Sequence, residues 1–473
     1  MARKRTLILL QILSYLFLRW WFIPIEFTGD SYGYACEVLK HDLESGHHLL
    51  HKYVLNFLLE QYNHQYFDVD HLKPTEYSPM VIFIRFNLII SVLNLMLVWL
   101  ILEQRKWRMS SIALALFFLS ATFSFMKYSF ENETYMLPIF FSLLGTYFYE
   151  RKWIIPAITL LSLATLFHQS HIFWLLALLI TQNSKWTSKL IHLSFSAFLV
   201  LTVYYFFSES YSKSISSLIF QDVNDGLVQV VPNMINLKMT AINFIRMFFQ
   251  IHGEMFMFWK VFSPFLSGVA IISILFTLIG FVLYLGAHNL NFKKSDWSFT
   301  FLTAFILHFL FAAYSVGNIE FMIVLPFLLV LSHQTGRIMN YSLLISLGMF
   351  LWNFGQFALP RTSVSPHRLH QKLNLISSIK HSSSDSVLIS IDDKDLHQNF
   401  FEYQKLTRRT KLNIQCISLE ESSQKPAFTI IHKQSNFSRK NFTKNTSPQN
   451  LLIHNKRIYI DSSLMGNITI ITN

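Results

Sequence analysis

Charge is what this sequence has least of. Only 14% of its 473 residues are Asp, Glu, Lys or Arg, against about 25% in an average soluble domain. That shortage argues against a soluble enzyme. The chain is also too apolar for disorder, which needs low hydrophobicity and high net charge. Two cysteines, Cys36 and Cys416, build neither a disulfide framework nor a zinc cage on their own. No solenoid period and no inverted repeat recurs along the chain. What is present is apolar: 52% hydrophobic and 16% aromatic residues, with a mean hydropathy of +0.36. These residues gather in blocks of roughly 20, the length that crosses a bilayer. The chain therefore reads as a polytopic α-helical membrane protein. Its formal charge of +12 would suggest nucleic acid in a soluble chain. Here much of it lies in short loops beside apolar blocks, where it sets orientation instead, and no nucleic-acid partner is expected.

The basic start Arg3-Lys4-Arg5 leads into an apolar run over 7–25. Trp20-Trp21 stands where a cleavable signal would carry small residues, so the run is expected to be a first transmembrane helix. Further apolar blocks cover about 79–102, 110–126, 136–149, 154–168, 171–182, 189–207, 262–287, 298–314, 319–333 and 341–358, giving 11 in all. An odd count puts the termini on opposite sides. Arg105 to Arg108, Arg151-Lys152, Lys185 with Lys189, Lys293-Lys294 and Arg337 then share the cytoplasmic side with the N-terminus. The long loops 26–78 and 208–261 and the tail fall outside, whether periplasmic, extracellular or lumenal.

Two domains follow, a membrane domain over 1–360 and a soluble, non-cytoplasmic one over 361–473. The second is rich in Ser, Asn and Lys and has no spanning block. Its short β-branched runs 387–391, 413–418, 428–432, 457–460 and 468–472 predict strands. The stretch 395–409 predicts a helix, so a small α/β domain is expected. Asp392-Asp393-Lys394-Asp395 sits at a strand end, a position that holds ligands in α/β sheets. A polar turn with a helix N-cap accounts for it better. Asn132, Asn436, Asn441, Asn445 and Asn467 each begin an Asn-x-Ser/Thr tripeptide, which matters only in a secretory-pathway protein.

In the membrane domain the chemically capable residues fall on one side. Asp30, in Gly29-Asp30-Ser31, directly follows the first helix. Glu131 and Glu133 lie in the outer loop after the third block, and His168-Gln169-Ser170-His171 at the outer turn after the fifth. Glu320 lies at another outer turn, Arg361 just past the last block, and His47, His48 and His51 in the first long loop. Ionisable groups at membrane depth are costly and so are functional candidates. Each also has a plainer account. Asp30 can be a solvated helix flank, and Arg246, in an amphipathic stretch with Ile242, Ile245 and Phe249, a snorkelling residue. Histidine clusters arise by chance in a chain with 19 of them. The His-x-x-His pair invites a divalent metal, but no third ligand stands at a fixed spacing, so no cofactor is firmly implied.

Gly29-Asp30-Ser31-Tyr32 and Gly46-His47-His48-Leu49-Leu50-His51 resemble two parts of the first outer loop of the GT-C integral-membrane glycosyltransferases. The 131–135 segment with Pro138 and the 168–171 turn resemble outer-face motifs of their protein O-mannosyltransferase-like branch. The tail's strand, Asp392-Asp393, helix with Tyr403, and second strand are similar to the soluble segment that follows the last helix in that branch. This resemblance implies a donor sugar carried on a polyprenyl phosphate. Transfer to a hydroxyl needs a base, for which Asp30 is best placed. It also needs cations for the departing phosphate, for which Arg246, Arg361, His168 and His171 are candidates. One displacement at the anomeric carbon would invert configuration, and the acceptor could be protein, lipid or glycan. The competing readings are a transporter or lipid flippase, and a non-catalytic scaffold whose tail binds partners.

Overall fold

The computed structural model describes residues 2–24, 31, 34–35, 37–38, 43, 48–66, 79–181, 185–207, 233–251, 263–286, 296–315, 319–333, 342–362, 386–391, 413–418, 428–434, 449–453, 456–463 and 466–472. A helix occupies each of the 11 apolar blocks, as a chain in lipid must satisfy its backbone internally. In order these are α1 (Ala2–Trp21), then, after α2 (His51–Tyr66) in the first long loop, α3 (Pro79–Gln104) and α4 (Met109–Ala121). A short α5 (Phe123–Tyr128) precedes α6 (Met136–Glu150), α7 (Ile154–Phe167), α8 (Ile172–Thr181) and α9 (Trp186–Phe207). A helix in the second long loop, α10 (Met234–Phe248), is followed by α11 (Ser263–Gly286), α12 (Asp296–Tyr314), α13 (Leu325–Ser332) and α14 (Leu343–Asn353). Among the described residues five stretches are long and apolar enough to cross a membrane: Ile82–Gln104, Trp186–Phe207, Pro264–Leu283, Trp297–Tyr314 and Leu343–Thr362. The chain is a multi-pass membrane protein.

Exposed rows mark the lipid side. Ile191, Phe198 and Phe206 on α9, Ile271 and Val282 on α11, and Phe299 and Leu310 on α12 all face outward. α10 has the same inside-out pattern. Asn236, Thr240, Asn243 and Met247, spaced four, three and four apart, are buried on one face, while Ile235, Ile242 and Ile245 are exposed.

Close helix approach depends on missing side chains. A Cβ on Gly280 of α11 would meet the Ile345 backbone nitrogen at 2.8 Å, and one on Gly348 of α14 the Ser273 carbonyl at 2.7 Å. Small residues of this kind let membrane helices pack backbone to backbone. α14 then widens into a π-turn over Phe354–Ala358, closed by Leu359 N–H to the Phe354 carbonyl at 2.8 Å. Just before it, Asn353 donates to the carbonyls of Ala121 (2.8 Å) and Phe248 (2.7 Å) and accepts from Gln250 N–H (2.9 Å). One amide thus satisfies the ends of α4 and α10 and holds three elements together.

At the other end Arg105 clasps the bundle. It pairs with Glu150 of α6 at 2.5 Å, donates to the Leu331 carbonyl at 2.6 Å, and lies over the Trp297 and Phe301 rings. Arg5 of α1 bonds Glu103 at 2.8 Å on the same side. These basic residues are therefore structural ties.

The described parts of the tail form one six-stranded mixed sheet in the order β2-β1-β3-β6-β5-β4. Its strands are β1 (Ser386–Ile391), β2 (Asn413–Ser418), β3 (Phe428–Gln434), β4 (Gln449–Ile453), β5 (Lys456–Ser463) and β6 (Gly466–Thr472). The first three run parallel, with Ile389 opposite Cys416, and the last three antiparallel. β4 was not expected from the sequence. Its five residues adjoin an Asn- and Ser-rich run and do not alternate, so no strand signal rises above the turn residues. The helix expected over 395–409 and the Asp392-Asp393 turn lie outside the described residues.

Candidate functional site

The site forms where ends of α1, α3, α5, α7 and α14 come together. α4 breaks at Thr122, whose hydroxyl accepts from Phe125 N–H at 3.4 Å and starts α5. The chain then turns through 129–135, and every residue of that turn is buried. It is a buried turn, not the solvated loop that its polarity suggests. Asn87 of α3 fixes its shape by donating to the carbonyls of Tyr128 (2.6 Å) and Glu131 (2.7 Å).

Glu131 is the centre of the turn. Its side chain is fully buried, and Oε1 accepts from Arg361 Nη1 at 2.9 Å. Oε2 accepts from the Ser31 hydroxyl at 3.0 Å. Asn132 completes the link to Ser31, through its backbone N–H to Oγ at 2.9 Å and its Nδ2 to the carbonyl at 3.0 Å. The structure therefore pairs two residues that the sequence offered separately, Arg361 as a phosphate ligand and Glu131 as a supporting polar group. It also brings Ser31, the neighbour of Asp30, onto the same carboxylate. Asp30 and His47 themselves lie outside the described residues.

A second group gathers around Tyr135. Its ring meets Tyr128 at 5.0 Å and His168 at 5.3 Å between centroids. Burial first, and then the Glu320 and Glu133 carboxylates, push the Tyr135 hydroxyl well above its ordinary range, so it stays a neutral donor. Glu133 is buried and Glu320 half-buried in the turn Ile319–Met322. Arg246 comes in from α10, half-buried, with its guanidinium 5.8 Å from the centre of the Phe123 ring. It turns onto the bundle and does not snorkel.

The histidines form a row. His168 caps the 3₁₀ turn Gln169–His171 and lies 5.0 Å from His48, 5.8 Å from Phe321 and 6.1 Å from His171 between ring centroids. His171 bonds the Ser142 hydroxyl at 2.7 Å and continues to His308 of α12 at 5.9 Å. Among the described residues no group of three or more His, Cys, Asp or Glu side chains is placed to hold a metal ion. The first long loop also contains Asp68-Val69-Asp70, a carboxylate pair of a kind suited to hard divalent cations. It lies outside the described residues.

His51 is buried against Tyr34, 5.3 Å between centroids, and among the described residues neither of its ring nitrogens has a hydrogen-bond partner. Burial, with Lys52 beside it, pushes its pKa from 6.5 down to about 3. Lys52 itself pairs with Glu37 at 2.9 Å. A histidine held neutral in the fold binds its proton only on unfolding, so stability is full above pH 6.5 and is lost as pH falls towards 3. At pH 5 the loss should reach about 2 kcal/mol. The thermal midpoint of the protein in detergent should fall between pH 7 and pH 5, and less so in His51→Phe. Equal falls in both proteins would put the acid sensitivity elsewhere.

No family model matches this chain, and no curated protein matches it. Among solved structures it is similar to the crystal structure of ArnT from Cupriavidus metallidurans bound to undecaprenyl phosphate. That likeness has a TM-score of 0.45 at 11% sequence identity and covers 98% of this chain and 97% of that one.

Four site residues escaped the sequence reading. Arg19 is buried near the end of α1, where a lone basic residue beside Trp20-Trp21 looks like an interfacial flank. Asn87 carried a usable signal, since Asn94 stands seven residues on and therefore on the same helix face. Asn94 donates to the Met136 carbonyl at 2.9 Å, so both amides stitch α3 to the segment from Tyr128 to Met136. Ser142 and His308 each sit inside an apolar block, and only the fold sets them against His171.

Proposed function

We propose that this protein is a GT-C-type glycosyltransferase that moves a sugar from a polyprenyl-phosphate carrier to a hydroxyl acceptor at the outer or lumenal membrane face. The observation that carries this reading is the buried set of Glu131, Arg361, Glu133, His168 and Tyr135 at the outer ends of helices whose backs face lipid. A lipid-bound donor and an aqueous acceptor can meet only at that level. The loop motifs shared with the GT-C class support the same reading, and those of the O-mannosyltransferase-like branch suggest a mannosyl-type donor.

In this scheme a carboxylate removes the acceptor's proton as its oxygen attacks the anomeric carbon. The bond from that carbon to the phosphate oxygen breaks, and configuration inverts. Asp30 is the proposed base, with Glu133 and Glu320 as rivals. Arg361, Arg246, His168 and His171 are the proposed donors to the phosphate, whose negative charge grows as it leaves. The tail 361–473 is proposed as an accessory domain for acceptor handling. The N-terminus would be cytoplasmic and the tail outside.

The test is a transfer assay on the purified full chain with a panel of polyprenyl-phosphate sugars, followed by mass analysis of products. A new glycoside plus polyprenyl phosphate is expected. The row of histidines reaching His308 inside α12 favours the second reading, a transporter or flippase, because buried ionisable groups line transport paths. Movement of a labelled donor across vesicles without any product would select it. Orientation has its own check, with single cysteines at Gln104 and Ser384 in a background lacking Cys36 and Cys416. Only Ser384→Cys should react with an impermeant label outside intact cells; labelling of Gln104→Cys alone would reverse the topology.

A further inference from the structure

The site uses one end of α3, α6 and α7, and the other ends of these helices meet a repeated turn. Gln104-Arg105-Lys106-Trp107 closes α3, and Glu150-Arg151-Lys152-Trp153 closes α6 and leads into α7. The two turns share one geometry. In the first, Trp107 N–H reaches back to the Leu102 carbonyl at 3.0 Å and Lys106 N–H to that of Glu103 at 2.9 Å. In the second, Trp153 N–H reaches the Phe148 carbonyl and Lys152 N–H that of Tyr149, both at 3.0 Å. This pair of bonds is a common helix ending, and it usually sets glycine where the two lysines stand. Lys106 has φ 60° and Lys152 φ 67°, the left-handed region that glycine enters freely and lysine rarely. Among the described residues no other non-glycine residue has a positive φ.

The turns also grip each other reciprocally. Arg105 of the first pairs with Glu150 of the second at 2.5 Å, and Arg151 Nε donates to Gln104 Oε1 at 3.3 Å. Each arginine thus takes the residue that precedes the other. The carboxylates here are engaged, Glu150 by Arg105 and Glu103 by Arg5. Lys106, Lys152 and Arg108 stand exposed beside them. A third Lys-Trp pair, Lys185-Trp186, joins this level. The Ser162 and Ser196 hydroxyls meet at 2.7 Å, nine residues after Trp153 and ten after Trp186. At about 1.5 Å of rise per residue, the two tryptophans lie at nearly the same depth. Trp153 is 55% exposed and Trp186 71%, and exposed Ile155 and Ile191 follow them on α7 and α9. Lys185 is exposed as well, whereas Trp107 is buried, so its turn supplies charge alone.

A sparsely populated backbone conformation that recurs at two matching positions calls for a function. Charge that only orients a loop could sit anywhere in it and would not need the place that suits glycine. What that place adds is an ammonium next to a tryptophan at the end of an apolar helix. Tryptophan favours the headgroup level of a bilayer, and lysine near that level attracts anionic lipid. A free anion would need no apolar flank.

We propose that the two Arg-Lys-Trp turns and Lys185-Trp186 form a docking surface for the headgroups of anionic phospholipids, in the membrane leaflet remote from the site. Charge complementarity selects the headgroup, and the exposed tryptophan and isoleucine side chains take the acyl chains. This surface is independent of the reaction performed at the site.

The test titrates the purified full chain in detergent with phosphatidylglycerol or phosphatidylcholine and counts bound lipid by native mass spectrometry. The unaltered protein should prefer phosphatidylglycerol, and raising the salt should shrink that preference. Lys106→Gly with Lys152→Gly should weaken phosphatidylglycerol binding by about fivefold per lysine and leave phosphatidylcholine binding unchanged. The thermal midpoint without lipid should hold or rise, because glycine suits both left-handed positions. Lys106→Arg with Lys152→Arg keeps both charges and should keep the binding.

Unchanged phosphatidylglycerol affinity in the glycine variant would overturn the surface. An equal loss in the arginine variant would also overturn it, by tracing the effect to the shape of the turns and not to their charge. Displacement of the lipid by millimolar glycerol phosphate would replace the lipid assignment with a free-anion site. Should the double glycine variant fail to fold, Lys152→Gly decides alone: unchanged affinity rejects the surface, and a loss of about threefold or more supports it.

Discussion

Glu131→Gln should lower stability by about 3–5 kcal/mol, the usual result of removing one partner from a buried ion pair. The pair has almost no access to solvent, with side-chain exposures of 0% for Glu131 and 5% for Arg361. Water therefore cannot take over the guanidinium when the carboxylate is gone. A glutamine in the same place can still accept from Ser31, so the loss isolates charge from shape. Arg19 adds to the loss, because its charge acts on Arg361. The measurement is the thermal midpoint in detergent, expected several degrees lower. Arg361→Met should also destabilise, and the double variant Glu131→Gln with Arg361→Met should lose less than the sum of the two, as coupled residues do. Strict additivity, or a midpoint equal to that of the unaltered protein, would show that the pair contributes little.

How much of this was legible beforehand depends on the range of each interaction. The apolar blocks predicted the helices because length and hydropathy are local, and lipid forces regular hydrogen bonding on any such segment. Their ends were less legible. The block over 110–126 is cut at Thr122 by a cap, and the block over 319–333 opens as a 3₁₀ turn before α13 begins around Pro326. In α10 the apolar stripe was visible, but hydropathy alone did not say that lipid would take it while Asn236, Thr240 and Asn243 turned inward. The site was legible as a set of candidates and not as a set of partners. Glu131 and Arg361 are 230 positions apart, and nothing in either neighbourhood announces the other. The burial of the turn over 129–135 was hidden for the same reason. Its polar residues find their partners on α3, on Ser31 and beyond α14, none of which is near in sequence.

Asp30→Asn should reduce sugar transfer by about 10²–10⁴-fold, or 3–5 kcal/mol of barrier, the range that a positioned general base supplies. The argument begins from position, since Asp30 follows the first helix and adjoins Ser31. Ser31 in turn bonds both the Glu131 carboxylate and the Asn132 backbone. The residue beside Asp30 is therefore anchored on the one buried turn that also carries Arg361. A base whose neighbour is fixed in this way can be held against an acceptor hydroxyl while the phosphate leaves towards the cations. Asparagine keeps the volume and much of the hydrogen bonding but cannot take the proton, so donor binding and thermal stability should persist while turnover falls. Asp30→Glu should retain part of the rate if the loop absorbs one methylene. Glu133→Gln and Glu320→Gln are the parallel variants, because both carboxylates act on Tyr135 at the same level. If Asp30→Asn transfers sugar at the unaltered rate, the base is whichever of those two carboxylates loses turnover as glutamine. Glu131 is not among the contenders, since Arg361 and Ser31 already occupy both of its oxygens.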